Sequence, residues 1–336
     1  MLAGILALAA AVGYGVSDFA AGLASRRVDV LAVTFLGTVC SLAVSALALP
    51  WMAGHAPSVV ALAWGAGGGL GGMAGALCLY AGFRRAAFSV AGPLSAVSSA
   101  GLSVIAGVAL GERPSALSVA GIVAALPAIV LVSLTAAPAG GGKPADLNGS
   151  VAALPAIVFA SLPPAPAGQD KPTGAGAAGT GPAEAGSGSA FRSVRHGTLA
   201  GVGLGLAAGV GFALMFVGLN RAGSAAGVWP VIAGQVAEVI VLVGVLAGTG
   251  RALTPVRDAV ALPVLTGVSG GGATILYFVA THKGFLAIAA VLTSLYPAVT
   301  IGLARVFASE RLSATRLAGL VLAAASVTLI ALGGTG

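Results

Sequence analysis

Of 336 residues, 58% are hydrophobic and 7% charged, with a mean hydropathy of +1.04. Soluble domains carry about 25% charged residues, so this chain lacks the polar shell of a water-facing surface, and lipid is the solvent that suits it. The net charge of +7 then belongs to loops, where it sets orientation, and not to a nucleic-acid interface.

A membrane crossing needs about 20 apolar residues. The first such run covers about 2–24. A cleaved signal peptide is the rival reading, but the usual positive n-region is missing. The second run covers about 30–50 and stops at Pro50 and Trp51. The third, about 59–81, is dense in glycine (Gly65, Gly67, Gly68, Gly69, Gly71, Gly72, Gly75), which lets helix backbones approach closely or bend. The fourth covers about 88–110 and the fifth about 116–135, joined by a GERPS hairpin. Cys40 and Cys78 lie inside apolar runs and read as small buried side chains, not as a disulfide or a metal pair.

Residues 136–197 are rich in Gly, Ala, Pro and Ser and read as a flexible linker. Inside it, VAALPAIVLVSLTAAPAGGGKP (123–144) recurs as VAALPAIVFASLPPAPAGQDKP (151–172), with 16 of 22 positions identical. The second copy has only about 12 apolar residues before Pro163 and Pro164, short of a crossing. It reads as a tandem insertion carried passively in a tolerant loop. Five further spans follow at about 198–220, 227–249, 259–281, 285–308 and 315–333.

The second set of spans repeats the first at an offset of 198 residues. Glu112, Arg113, Ser115, Ala116, Ala120, Gly121, Val123 and Ala125 fall on Glu310, Arg311, Ser313, Ala314, Ala318, Gly319, Val321 and Ala323, which is 8 identities in 14 ungapped positions. Leu6, Leu8, Ala9, Ala10, Val12 and Gly13 fall on Leu204, Leu206, Ala207, Ala208, Val210 and Gly211 at the same offset. A segment repeated inside the protein is not a leader, so 2–24 is a span. The expected organisation is an all-α membrane protein of ten transmembrane helices in two five-helix repeats, 1–135 and 198–336, around the linker. Because five is odd, the second repeat is expected to sit inverted, the geometry of carriers with a site at the midplane between repeats.

Loops after odd-numbered spans hold 13 Lys and Arg residues against 3 after even-numbered spans, or 9 against 3 without the linker. The positive-inside rule puts the odd loops in the cytoplasm and both termini outside.

GYGVSDF (13–19), SVAGPLSAVSSAGLSVIAGVALGE (89–112) and AIAAVLTSLYPAVTIGLARVFASERLS (287–313) with LAG (317–319) resemble the EamA-type module of the drug/metabolite transporter superfamily. The resemblance covers both halves. It departs from the pattern at Ser99, which stands where Pro297 stands in the second half. It implies secondary transport of small metabolites, amino acids, sugars or drugs across the cytoplasmic (inner) membrane. It also implies a cavity lined mostly by the first, third and fourth spans of each half.

Ionisable residues inside spans are costly in lipid and are candidates for function by default. Asp18 lies one turn past Tyr14, on the same face, where an acid in a dry cavity can exchange protons or hold a cationic group; the blander reading has it facing Arg26 or Arg27 through water. Glu238 is mid-span, with Gln235 one turn before it; the blander reading is a polar contact between helices. Glu112 and Glu310 stand at tight loops before helices and read as structural caps, one on each side of the membrane. Tyr14, Trp64, Tyr80, Ser95, Ser98 and Ser99 of the first half are candidate pocket residues. So are Phe212, Asn220, Tyr277, Thr293, Ser294 and Tyr296 of the second, although for any one of them packing is the commoner role. His282–Lys283 and Arg84–Arg85 read as interface anchors.

The histidines, His55, His196 and His282, make no His-Glu-x-x-His site, no P-loop is present, and the acids are not paired for metal–phosphate chemistry. No catalytic residue, metal or cofactor is expected. The expected partners are membrane lipids, a small-molecule substrate and a second copy in a homodimer. The alternative to a carrier is a membrane-embedded scaffold or enzyme.

Overall fold

The computed structural model describes residues 1–25, 28–52, 54–85, 88–133, 186–249, 260–308 and 314–333. They form helices joined by short turns, with no strand among the described residues: α1 (Leu2–Ala24), α2 (Val30–Met52), α3 (Val59–Arg85), α4 (Phe88–Ala109), α5 (Ala116–Ser133), α6 (Gly186–Arg221), α7 (Trp229–Thr249), α8 (Ala261–Lys283), α9 (Leu286–Thr293), α10 (Tyr296–Ala308) and α11 (Ala314–Gly333). With no water in the bilayer core, only a helix satisfies its own backbone within a single segment, so long apolar runs become helices. Seven of them, α1 to α4 and α6 to α8, are long and apolar enough to cross a membrane. Shorter apolar helical stretches, Ala116–Leu131, Leu286–Thr300 and Val321–Ile330, fall at the other three expected positions. Large apolar side chains such as Leu47, Ile105 and Ile240 point outward, as a lipid-facing surface requires.

Two boundaries differ from the sequence expectation. Residues 186–197, expected in the linker, belong to α6, which is 36 residues long. No proline lies between Gly186 and Arg221, so nothing interrupts the helix as it leaves the apolar stretch. The span expected over 285–308 is broken at Ser294–Leu295 into α9 and α10. Pro297 causes the break: it has no N–H to donate, and its ring would clash with the carbonyl four residues back. The second copy of the local duplication, 151–172, lies outside the described residues.

The packing is reciprocal between the halves. α1 packs on α8 as α6 packs on α3, α2 on α8 as α7 on α3, and α1 on α9 and α10 as α6 on α4; α5 meets α11, and α2 meets α7. The register repeats too. A Cβ on Gly13 would strike Ser269 and Ala273, and one on Gly211 would strike Gly71 and Gly75; each residue of the second set is 198 positions from its counterpart. The glycines of α3 allow this approach: the Gly69 backbone lies against Gly234 of α7, with no room for a side chain between them.

Candidate functional site

A cavity of about 130 Å³ opens between α1, α2 and α3 of the first half and α6, α7, α8 and α10 of the second. α1 contributes Tyr14, Ser17 and Asp18, because i and i+4 share a helix face. α2 contributes Thr34, Thr38 and Ser41, spaced four and three apart; α7 contributes Gln235 and Glu238. Tyr80, Phe212 and Tyr296 supply aromatic walls, Met73 and Met215 apolar ones, and Thr266 and Thr274 further hydroxyls. Among the described residues lining it there are two carboxylates, Asp18 and Glu238, and no Lys, Arg or His.

Asp18 is 7% exposed and is hydrogen-bonded by Tyr80. The Thr38 hydroxyl donates to Glu238 Oε2 at 3.1 Å. Gln235 Nε2 donates to Ser41 Oγ at 2.7 Å, while Gln235 Oε1 is buried without a partner. Tyr14 and Thr274 share a hydrogen bond of 2.9 Å, and the Tyr296 hydroxyl donates to Ser95 Oγ at 3.2 Å. Tyr296 also meets Phe212 edge-on, with ring centroids 6.4 Å apart. Two acids in an apolar cavity are expensive to keep unless solvated or paired, and each here has a single hydroxyl partner named by the structure.

The structure brings together Tyr14, Asp18, Tyr80, Phe212, Glu238 and Tyr296 of the residues expected to line a pocket. The others lie elsewhere. Trp64 is 40% exposed, with the Arg221 guanidinium 5.8 Å from its ring. Ser95 lies behind Tyr296, and Ser98 bonds the Leu94 carbonyl within its own helix. Asn220 donates to Thr281 Oγ1 at 3.0 Å. The Tyr277 hydroxyl donates to the Phe216 carbonyl at 3.2 Å, with its ring against Phe216. Thr293 donates to the Ala7 carbonyl at 3.3 Å, and Ser99 meets Ser294 at 3.2 Å. Apart from Trp64 and Ser98, these are packing contacts between helices, where a polar group needs a partner.

Asp18 faces Tyr80, and residues 26 and 27 lie outside the described residues. The second spans also enter the lining, through α2 and α7, where the family resemblance implied mostly the first, third and fourth. Thr34, Thr38 and Ser41 were missed by sequence reasoning, although their helical spacing on one face was the signal.

Glu112 is a cap, but not of the helix that follows it. Its carboxylate accepts the backbone N–H of Leu286 and, at 3.0 Å, that of Ala287, at the start of α9 in the other half. Gly111, at φ 91°, takes a conformation that favours glycine and turns the hairpin that presents Glu112. Glu310 lies outside the described residues. His282 packs against Phe278 and bonds its carbonyl through Nδ1 at 2.7 Å; the side chains of Arg84 and Arg85 lie outside those described.

Residues 1–134 match the model of the EamA-like transporter family. This segment is an EamA-like module. The EamA family consists of transporters, and the chain is a multi-pass membrane protein. A solved crystal structure of a protein, 17% identical, superposes on the chain with a TM-score of 0.63 over 96% of each chain. At that identity the likeness speaks for the fold alone, and it runs through the second half as well as the EamA-like first. No curated protein matches the chain.

Proposed function

We propose that this EamA-like protein is a secondary carrier of small molecules, built as two inverted five-helix repeats that rock about the cavity to give alternating access across the cytoplasmic membrane. The observation that carries the reading is the cavity itself: it holds two membrane-embedded acids and is lined from both halves. The 198-residue repeat and the matching register of α1 on α8 and α6 on α3 support the two-fold design. Asp18 and Glu238 are then the groups that exchange protons or bind substrate charge as access alternates.

The test is flux in proteoliposomes, with a labelled panel of amino acids, sugars and amines, with and without an imposed pH gradient. Saturable uptake with counterflow, accelerated by the gradient, is the expected result. Absence of saturable flux for the whole panel would overturn the carrier reading. Saturable flux indifferent to pH would remove the proton-coupling role.

A further inference from the structure

We infer that the cavity selects an organic ammonium bearing N–H donors and no carboxylate, held by Asp18 and Glu238 and oriented by the unpartnered Oε1 of Gln235. The inference rests on the carrier reading only for its physiological meaning; as binding chemistry it stands on the cavity.

Three observations converge. First, the described lining has two carboxylates and no cationic side chain, so an anion would find no counter-charge and a cation would find two. A zwitterion would leave its own carboxylate facing that unrelieved field. Second, Gln235 is 4% exposed and lines the cavity, its Nε2 is held by Ser41, and its Oε1 accepts nothing. A buried acceptor without a donor is a rare and costly arrangement in a native fold, so a ligand N–H is the natural partner. Glu238 lies one turn from it, which puts a carboxylate and an amide oxygen on one side of α7. Third, the remaining hydroxyls are largely engaged by the protein: Tyr14 with Thr274, Tyr296 with Ser95 and Thr38 with Glu238. What the tyrosines and Phe212 then offer a ligand is their ring faces and edges, which suit a cation and an apolar body. The volume of about 130 Å³ suits a small amine carrying one ring.

The chemistry separates two kinds of cation. A quaternary ammonium satisfies the carboxylates and rings but cannot donate to Gln235. A primary ammonium satisfies all three.

Calorimetric binding to the full-length protein in nanodiscs tests this with 2-phenylethylamine, its N,N,N-trimethyl analogue, 2-phenylethanol and 3-phenylpropionate. The amine is expected to bind about tenfold or more tighter than each of the other three. Gln235→Met is expected to narrow the amine-to-trimethyl ratio to within about threefold by weakening the amine. Ser41→Ala, which frees the amide without removing it, is expected to keep a preference for the amine. Trimethyl binding as tight as the amine, equal binding of the alcohol or the carboxylate, no amine binding, or an unchanged ratio in folded Gln235→Met would each overturn the inference. Counterflow on the same probes separates the two readings. An amine that binds but is never carried overturns the carrier and leaves the selectivity standing. Saturable flux of the anion without amine binding does the reverse.

Discussion

At the scale of single residues, the most informative feature is how few polar groups the chain commits to its interior and where they meet. Asp18 and Glu238 stand 220 positions apart in the chain, yet line one cavity. Asp18→Asn and Glu238→Gln keep side-chain volume and hydrogen bonding while removing charge, so both variants are expected to fold. At least one is expected to abolish the response of flux to a pH gradient; a normal response in both would exclude these acids from coupling. Glu112 is a different case. Its carboxylate satisfies two N–H groups at the start of α9 and offsets the helix dipole there. Glu112→Ala is expected to cost about 0.5–2 kcal/mol, read as a lower Tm of the purified protein, while Glu112→Gln recovers part of it. The sequence marked Glu112 as a cap but gave it the wrong partner, because a loop carboxylate reaches whichever helix end the fold places beside it.

At the scale of helices, close approach decides the architecture. α3 lies against α6 and α7 with glycine at the contact points, and Gly69 meets Gly234 backbone to backbone. Gly69→Leu must push α7 away, with an expected loss of about 1–3 kcal/mol or more. Gly67, whose Cβ would meet nothing, is the control: Gly67→Leu is expected to melt like the parent in the same detergent series. Equal melting of the two variants would show that the α3–α7 contact contributes little. The glycine density of α3 was plain in the sequence, but which glycines face a partner was not, since seven glycines in eleven residues spread over more than half of the helix circumference. The break between α9 and α10 follows from Pro297, yet Pro93 and Pro127 sit inside α4 and α5 without splitting them. Whether a proline breaks a span depends on how neighbouring helices re-satisfy the freed carbonyls.

At the scale of the molecule, the two halves meet through helices that exchange roles, α1 on α8 and α3 on α6, so each half completes the other's packing. The segment 151–172 duplicates part of the α5 sequence and has too few apolar residues to cross. Deleting 149–176 is expected to leave membrane insertion, the melting profile and flux unchanged. Loss of folded protein would show that the duplicated copy belongs to the membrane domain.

The sequence by itself determined the solvent, the approximate spans and the repeat offset of 198 residues, because run length, hydropathy and self-similarity are properties of the chain alone. Six of the fourteen expected residues line the cavity, and these were legible as acids inside spans or as aromatics. Only the tertiary structure decided that Thr38, Ser41 and Gln235 join them and that Trp64, Asn220 and Tyr277 do not. The reason is rotational: a helix hydrophobic on nearly every side carries almost no pattern to say which face turns inward, and glycine contacts between distant segments set that angle.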